Sequence, residues 1–158
     1  MRIENNFISE IFFDFFKEKI LNKDFPWYHQ NSKVSDNDNE EQFTHLFYNK
    51  SKTQSDKIEL IHPILDQLDV KEILKAKLNL TLKENTIRPF EYHTDIHYRK
   101  CNTAILYINT NDGKTLFKNG KVIESIANRI VVFPSELEHA GTTHTNSKYR
   151  IVLNLNYI

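Results

Sequence analysis

The sequence predicts a mainly β domain, a sandwich or barrel, with helices confined to its N-terminal part. Two observations carry this. Before residue 70 the apolar residues recur at helical spacing, and from residue 87 onward short β-type runs alternate with turn signals. Many short strands with turn signals argue against βαβ units and for a sandwich or barrel.

Ile8, Ile11, Phe12, Phe15, Phe16, Ile20 and Leu21 describe an amphipathic helix over about residues 7–21. Its apolar stripe reads as a buttress for a sheet, with a dimer face as the other reading. Phe25-Pro26-Trp27-Tyr28 then packs the helix onto the rest of the domain. The polar, acidic stretch 31–42 cannot bury itself and reads as a mobile connection, or as a lid over a site. Residues 58–68 form a second helical candidate, beginning near His62 because Pro63 suits a first turn. From Ile73 to Leu82 the pattern alternates, with Leu74, Ala76, Leu78, Leu80 and Leu82 on one face and Lys75, Lys77, Asn79 and Thr81 on the other. Further strands are expected at 103–109, 115–118, 121–124, 129–133 and 149–158. Asn119-Gly120 is a hairpin signal whose two positions would both take positive φ. No repeat or linker divides the chain, so one domain is expected, with residues 1–72 as helical support and 73–158 as the β core.

Lys+Arg and Asp+Glu both number 21, so no global field favours nucleic acid or an anionic membrane. A single cysteine, Cys101, excludes an internal disulfide and reads as a small buried hydrophobe in a reducing compartment. Met1 to Glu10 lacks the pattern of a secretory signal, and no apolar run is long enough to span a bilayer. The expectation is a cytoplasmic protein. Abundant Asn, Ile and Lys suggest an AT-rich bacterial or phage genome.

The residues that carry chemistry lie in the β half. His93 and Asp95 are two apart, which on a strand places both side chains on one face. A third ligand must come from a distant segment, and His139 follows the strand end Phe133-Pro134-Ser135. Two imidazoles and a carboxylate can bind one face of a ferrous ion and leave the other open, the pattern of non-haem Fe(II) oxygenases that use O2. His144 competes with His139 as third ligand. Arg150 opens the last strand, where Arg150, Val152, Asn154 and Asn156 share one face. A polar inward face is costly unless it lines a pocket, and a guanidinium fork suits a carboxylate. The other reading of Arg150 is a surface salt bridge. Tyr107 reads as a core tyrosine or a pocket residue. His97 follows the alternation of His93 and Asp95 but also reads as a loop histidine. Asn154 and Asn156 would line the pocket floor, and Arg88, Tyr92 and Arg99 would flank it and read substrate.

The series His93-Thr94-Asp95, Ala104-Ile105-Leu106-Tyr107-Ile108-Asn109, Asp112-Gly113-Lys114-Thr115, Val132-Phe133-Pro134-Ser135, His139 and Arg150 resembles the catalytic core of the Fe(II)/2-oxoglutarate-dependent oxygenases, in the prolyl-4-hydroxylase-like branch. The resemblance covers about residues 74–158. It implies a double-stranded β-helix, the cupin-like jelly roll, with Fe(II) on His93, Asp95 and His139. It implies 2-oxoglutarate and O2 as co-substrates, with the distal carboxylate of 2-oxoglutarate on Arg150 and Tyr107. The activity it implies is hydroxylation of a peptidyl proline or other residue, or of a small molecule. Ile108 stands where leucine is usual, and Gly113-Lys114 where a Gly-Gly pair is common. The alternative is a cupin-like metal- or ligand-binding module without oxygenase activity; a third reading is a silent interaction protein that uses its N-terminal helix.

Overall fold

A computed structural model describes residues 1–34, 38 and 40–158. The centre of the acidic stretch read as a connection or lid (residues 35–37 and 39) lies outside the described residues. In chain order the elements are β1 (Arg2–Glu4), α1 (Glu10–Leu21), β2 (Tyr28–Gln30), β3 (Gln42–Asn49), β4 (Lys52–Thr53), a 3-10 turn (Ile58–Ile61) running into α2 (His62–Gln67), β5 (Ile73–Leu82), β6 (Asn102–Tyr107), β7 (Lys114–Phe117), β8 (Val122–Glu124), β9 (Arg129–Pro134), β10 (His139–Gly141) and β11 (Tyr149–Tyr157).

The strands build two antiparallel sheets. The larger runs β1-β9-β6-β11-β5-β3-β2, with β4 paired to β3; the smaller runs β10-β7-β8. This mostly antiparallel, two-sheet arrangement is the jelly roll. The N-terminal 72 residues supply the two helices as expected, and also four strands that the sequence reading did not assign. β3 is the largest of these, and it completes the sheet beside β5. Its alternation was hidden by the polar stretch that leads into it.

α1 starts where Ser9 accepts from the Phe12 amide, with Glu10 in the first turn and Lys19 in the last, both favourable to the helix dipole. Phe13, Phe16 and Ile20 are its buried residues. Ile11 is 87% exposed and Phe15 44% exposed. The buried stripe is therefore rotated from the one read in the sequence, because helix position relative to the sheet, and not apolar count, selects the face.

Two apolar clusters flank the large sheet. One joins Phe16, Ile20, Ile64 and Leu65 of the helices to Ala76 and Leu78 of β5, Leu106 of β6, and Leu153 and Leu155 of β11. The other lies between the sheets, where Ile105, Tyr107, Phe117, Ile123, Val131, Phe133 and Val152 meet. The β7–β8 hairpin differs from the expected two-residue turn. Its loop is Lys118–Gly120, Phe117 N–H donates to Lys121 O, and Gly120 alone takes positive φ, at 87°. That is a three-residue loop closed by a glycine, in which Asn119 needs no left-handed conformation.

Candidate metal centre and pocket

The antiparallel register of β11 on β5 pairs Arg150 with Thr81, Val152 with Asn79, Asn154 with Lys77 and Asn156 with Lys75. The same-face alternation of each strand thus becomes one mostly polar surface, interrupted by Val152. That surface is the floor of a cavity of about 260 Å³, roofed by His139 and Gly141 of β10 and Thr115 of β7. The sequence reading had seen the polar face of β5 without assigning it to the pocket.

His93, Asp95 and His139 converge at one end of this cavity, with ligand atoms all within 4.8 Å of one another. His93 lies outside the strands proper and is placed by a single antiparallel bridge. His93 N–H donates to His139 O at 2.9 Å and His139 N–H to His93 O at 3.0 Å. His93 Nδ1 is 3.2 Å from Glu91 O and His139 Nδ1 is 3.0 Å from Leu137 O. A carbonyl can only accept, so both Nδ1 atoms donate, and both Nε2 atoms face Asp95. Their distances to the carboxylate are 3.7 Å and 3.9 Å.

Asp95 is held by Thr103, whose hydroxyl donates to Oδ2 at 2.8 Å, and by Asn156, whose amide donates to the same oxygen at 3.1 Å. Thr103 in turn lies 2.9 Å from the Ser135 hydroxyl, which accepts from Cys101. Burial works against the charge of Asp95, but His139, Thr103, His93 and Asn156 outweigh it and leave the pKa below the ordinary carboxylate value. Burial lowers His139, with Asp95 opposing, so the imidazole is neutral, the form that ligates a metal.

Arg150 closes the other end and is buried. Its Nε donates to Ser125 Oγ at 3.0 Å, and Nη2 lies 3.5 Å from Thr115 Oγ1. Among the described residues no carboxylate lies within 4 Å of it. Desolvation lowers its pKa and Tyr107 partly opposes this. Gly113 makes room for the side chain: a Cβ there would stand 2.8 Å from Arg150 Cδ. Tyr107 is fully buried and does not line the cavity; its hydroxyl donates to Thr115 Oγ1 at 2.7 Å. Three further oxygens of the β5 and β11 floor, Asn79 Oδ1, Thr81 Oγ1 and Asn154 Oδ1, are buried without a partner among the described residues.

The structure brings together His93, Asp95, His139, Arg150, Asn154 and Asn156, keeps Tyr107 behind the cavity wall beside Arg150, and places the remaining expected residues away from them. Arg88 does not reach the cavity. It forms ion pairs with Glu40 and Glu84 on the protein surface. Arg99 pairs with Glu72 at 2.8 Å, likewise away from the site. Tyr92 sits beside Lys118, and His97 is exposed next to Tyr98. His144 is buried away from the ligand cluster and takes no part in it. Sequence reasoning missed Thr103, Thr115, Lys33, Lys75 and Lys77. Only the alternation of β5 signalled the last two.

No family model and no curated protein matches the sequence. Solved structures do match in fold. A prolyl-4-hydroxylase from Pseudomonas putida is 14% identical at a TM-score of 0.69, over 99% of this chain and 90% of that one. A prolyl hydroxylase from Trichoplax adhaerens, solved with a peptide fragment of the hypoxia inducible factor oxygen degradation domain, is 16% identical at 0.74, over 99% and 82%. The non-heme alpha ketoglutarate dependent epimerase SnoN of nogalamycin biosynthesis is 12% identical at 0.69, over 99% and 76%. The fold is that of the 2-oxoglutarate–Fe(II) oxygenases, the prolyl-4-hydroxylases among them.

Proposed function

We propose that the protein is an Fe(II)- and 2-oxoglutarate-dependent dioxygenase that hydroxylates a second substrate. The observation that carries this is a buried guanidinium without a counter-charge in the same cavity as a His-Asp-His cluster. A buried cation is costly unless an anion completes it, and a dicarboxylate reaching from Arg150 toward the ligand cluster would do so. The Asn79, Thr81 and Asn154 oxygens of the floor fit a wet pocket, since water bridging to a bound carboxylate can donate to them.

His93 Nε2, Asp95 and His139 Nε2 would hold Fe(II), which supplies open coordination positions for the 2-oxo acid and O2 and the redox chemistry between them. The overall conversion is 2-oxoglutarate, O2 and a C–H bond to succinate, CO2 and a C–OH bond. The chain's part is binding and orientation. Arg150 offers its fork to the distal carboxylate. Thr115 accepts from Tyr107, which leaves its own proton free to donate to the same carboxylate, so Tyr107 acts through Thr115. Thr103 and Asn156 fix the Asp95 carboxylate, and the backbone carbonyls of Glu91 and Leu137 fix the two imidazoles. Phe117 and Phe133 pack against His139 and keep water from that side.

Anaerobic titration of the metal-free protein with Fe(II) and 2-oxoglutarate tests the reading through the visible charge-transfer band of the chelate. The band should form in the native chain, be absent in His93→Ala, and need at least about tenfold more 2-oxoglutarate in Arg150→Ala. A folded chain that binds Fe(II) and shows no band would instead support the metal-binding jelly roll without oxygenase activity.

A further inference from the structure

This mechanism leaves two lysines unused. Lys75 and Lys77 stand on the pocket face of β5, opposite Asn156 and Asn154. Both line the metal pocket. With Lys33 and Gln42 they also line a second, wider cavity of about 570 Å³, walled by Thr44 and His45 of β3 and by Gln54. The two cavities share this one wall.

The wall is cationic, and its charge is not balanced from within. Lys33, Lys75, Lys77 and Arg150 line the metal pocket, and the one carboxylate lining it among the described residues is Asp95. Lys33 has Glu40 at 3.6 Å and lies over the Phe90 ring. Arg150 is matched by the co-substrate. Asp95 is committed to the two histidines and to the bonds from Thr103 and Asn156. On the second cavity, Asp56 is paired with Lys57 at 2.7 Å. Lys75 and Lys77 have no carboxylate within 4 Å and no hydrogen-bond partner among the described residues. Two ammonium groups, two residues apart on one half-buried strand face, repel each other and lose hydration. Burial lowers Lys77 to about 8, Lys75 pushes the same way and Asp95 opposes. Apolar residues would be more stable at these positions, as Ala76 and Leu78 are on the opposite face of the strand.

We infer that Lys75 and Lys77 bind an anionic group, a carboxylate or a phosphate, of the second substrate, a small molecule lying along the wall between the two cavities with its oxidisable carbon beside His93, Asp95 and His139. This rests on the proposed function. Lysine is a point charge without the planar fork of arginine, so the pair accepts either oxyanion. Recognition takes place within the cavities, not at the outer rim, which favours a compact substrate over an extended peptide.

The test is calorimetric titration of the anaerobic protein, already saturated with Fe(II) and 2-oxoglutarate, with inorganic phosphate and, separately, with acetate. One of the two should bind with one-to-one stoichiometry, and which one names the chemistry. The double variant Lys75→Gln/Lys77→Gln should bind it at least about tenfold more weakly, while its 2-oxoglutarate midpoint moves by less than about twofold. Three outcomes overturn the inference: equal anion affinity in the variant and the native chain, loss of 2-oxoglutarate binding in the variant, or no saturation by either anion. If the charge-transfer band itself never forms, the titration is repeated without metal on an Arg150→Gln background. There a lysine-dependent anion site still supports the inference while the oxygenase reading fails, and no such site defeats both.

Discussion

On one face of the β5–β11 pair, Ala76, Leu78, Leu153 and Leu155 are buried to within 1% of complete exclusion from water, in one cluster with Phe16, Ile20 and Ile64. On the other face, one residue away along each strand, stand Lys75, Lys77, Asn79, Thr81, Arg150, Asn154 and Asn156. The backbone hydrogen bonds are common to both faces; the side-chain energetics are opposed. The apolar face has no unmatched group. Among the described residues, Lys75 and Lys77 of the polar face have no carboxylate within 4 Å, and Asn79 Oδ1, Thr81 Oγ1 and Asn154 Oδ1 have no donor. Stability comes from the helix-covered side, and this allows the pocket side to stay unsatisfied until a ligand arrives.

The largest effect that can break this comparison is on the apolar face. Leu153→Ala should cost about 2–5 kcal/mol of unfolding free energy in a denaturant titration, and the Fe(II) and 2-oxoglutarate midpoints of the folded protein should not move. A shift in either midpoint would mean that the faces are coupled. Next in size is Thr103→Val, which removes one bond to Asp95 Oδ2 and leaves Asn156 in place. Fe(II) affinity should fall by about 10–100-fold, read by competition with a metal indicator; unchanged affinity would show that Asn156 alone orients the carboxylate.

The smallest effect is expected at Lys77, and its sign is opposite. Lys77→Gln should raise the melting temperature, because a half-buried unpaired charge is removed. The pH dependence sharpens this. Between about 8, where the folded protein releases the Lys77 proton, and 10.5, where the unfolded chain does, the unfolded state binds more protons. The contribution of Lys77 to stability should therefore rise with pH across that window. The difference from Lys77→Gln should shrink as it does, and melting curves that stay parallel from pH 7 to pH 10.5 would refute the assignment.

Among the described residues no helix is long and apolar enough to cross a membrane. Several fold features were legible for local reasons. Alternation in β5 and β11 reports on side-chain direction, Pro63 marks the start of α2, and His93-Thr94-Asp95 carries its own spacing. β3 was not legible, because its apolar positions gain meaning only when β5 lies beside it. The face of α1 could not be chosen either: Ile11 and Phe13 are equally apolar, and the sheet buries only Phe13.

By itself the sequence determined the β-rich class, the His93, Asp95 and His139 trio that the fold brings together, and the arginine that follows them, because residue type and period-two alternation are local properties of the chain. Tertiary structure alone decided that Arg150 has no carboxylate within 4 Å among the described residues, that Tyr107 is buried with its hydroxyl on Thr115, that Arg88 and Arg99 are spent on surface ion pairs, and that two lysines line the same pocket as the His-Asp-His cluster. Each of these depends on strand register and on distances between segments tens of residues apart, which no local pattern encodes.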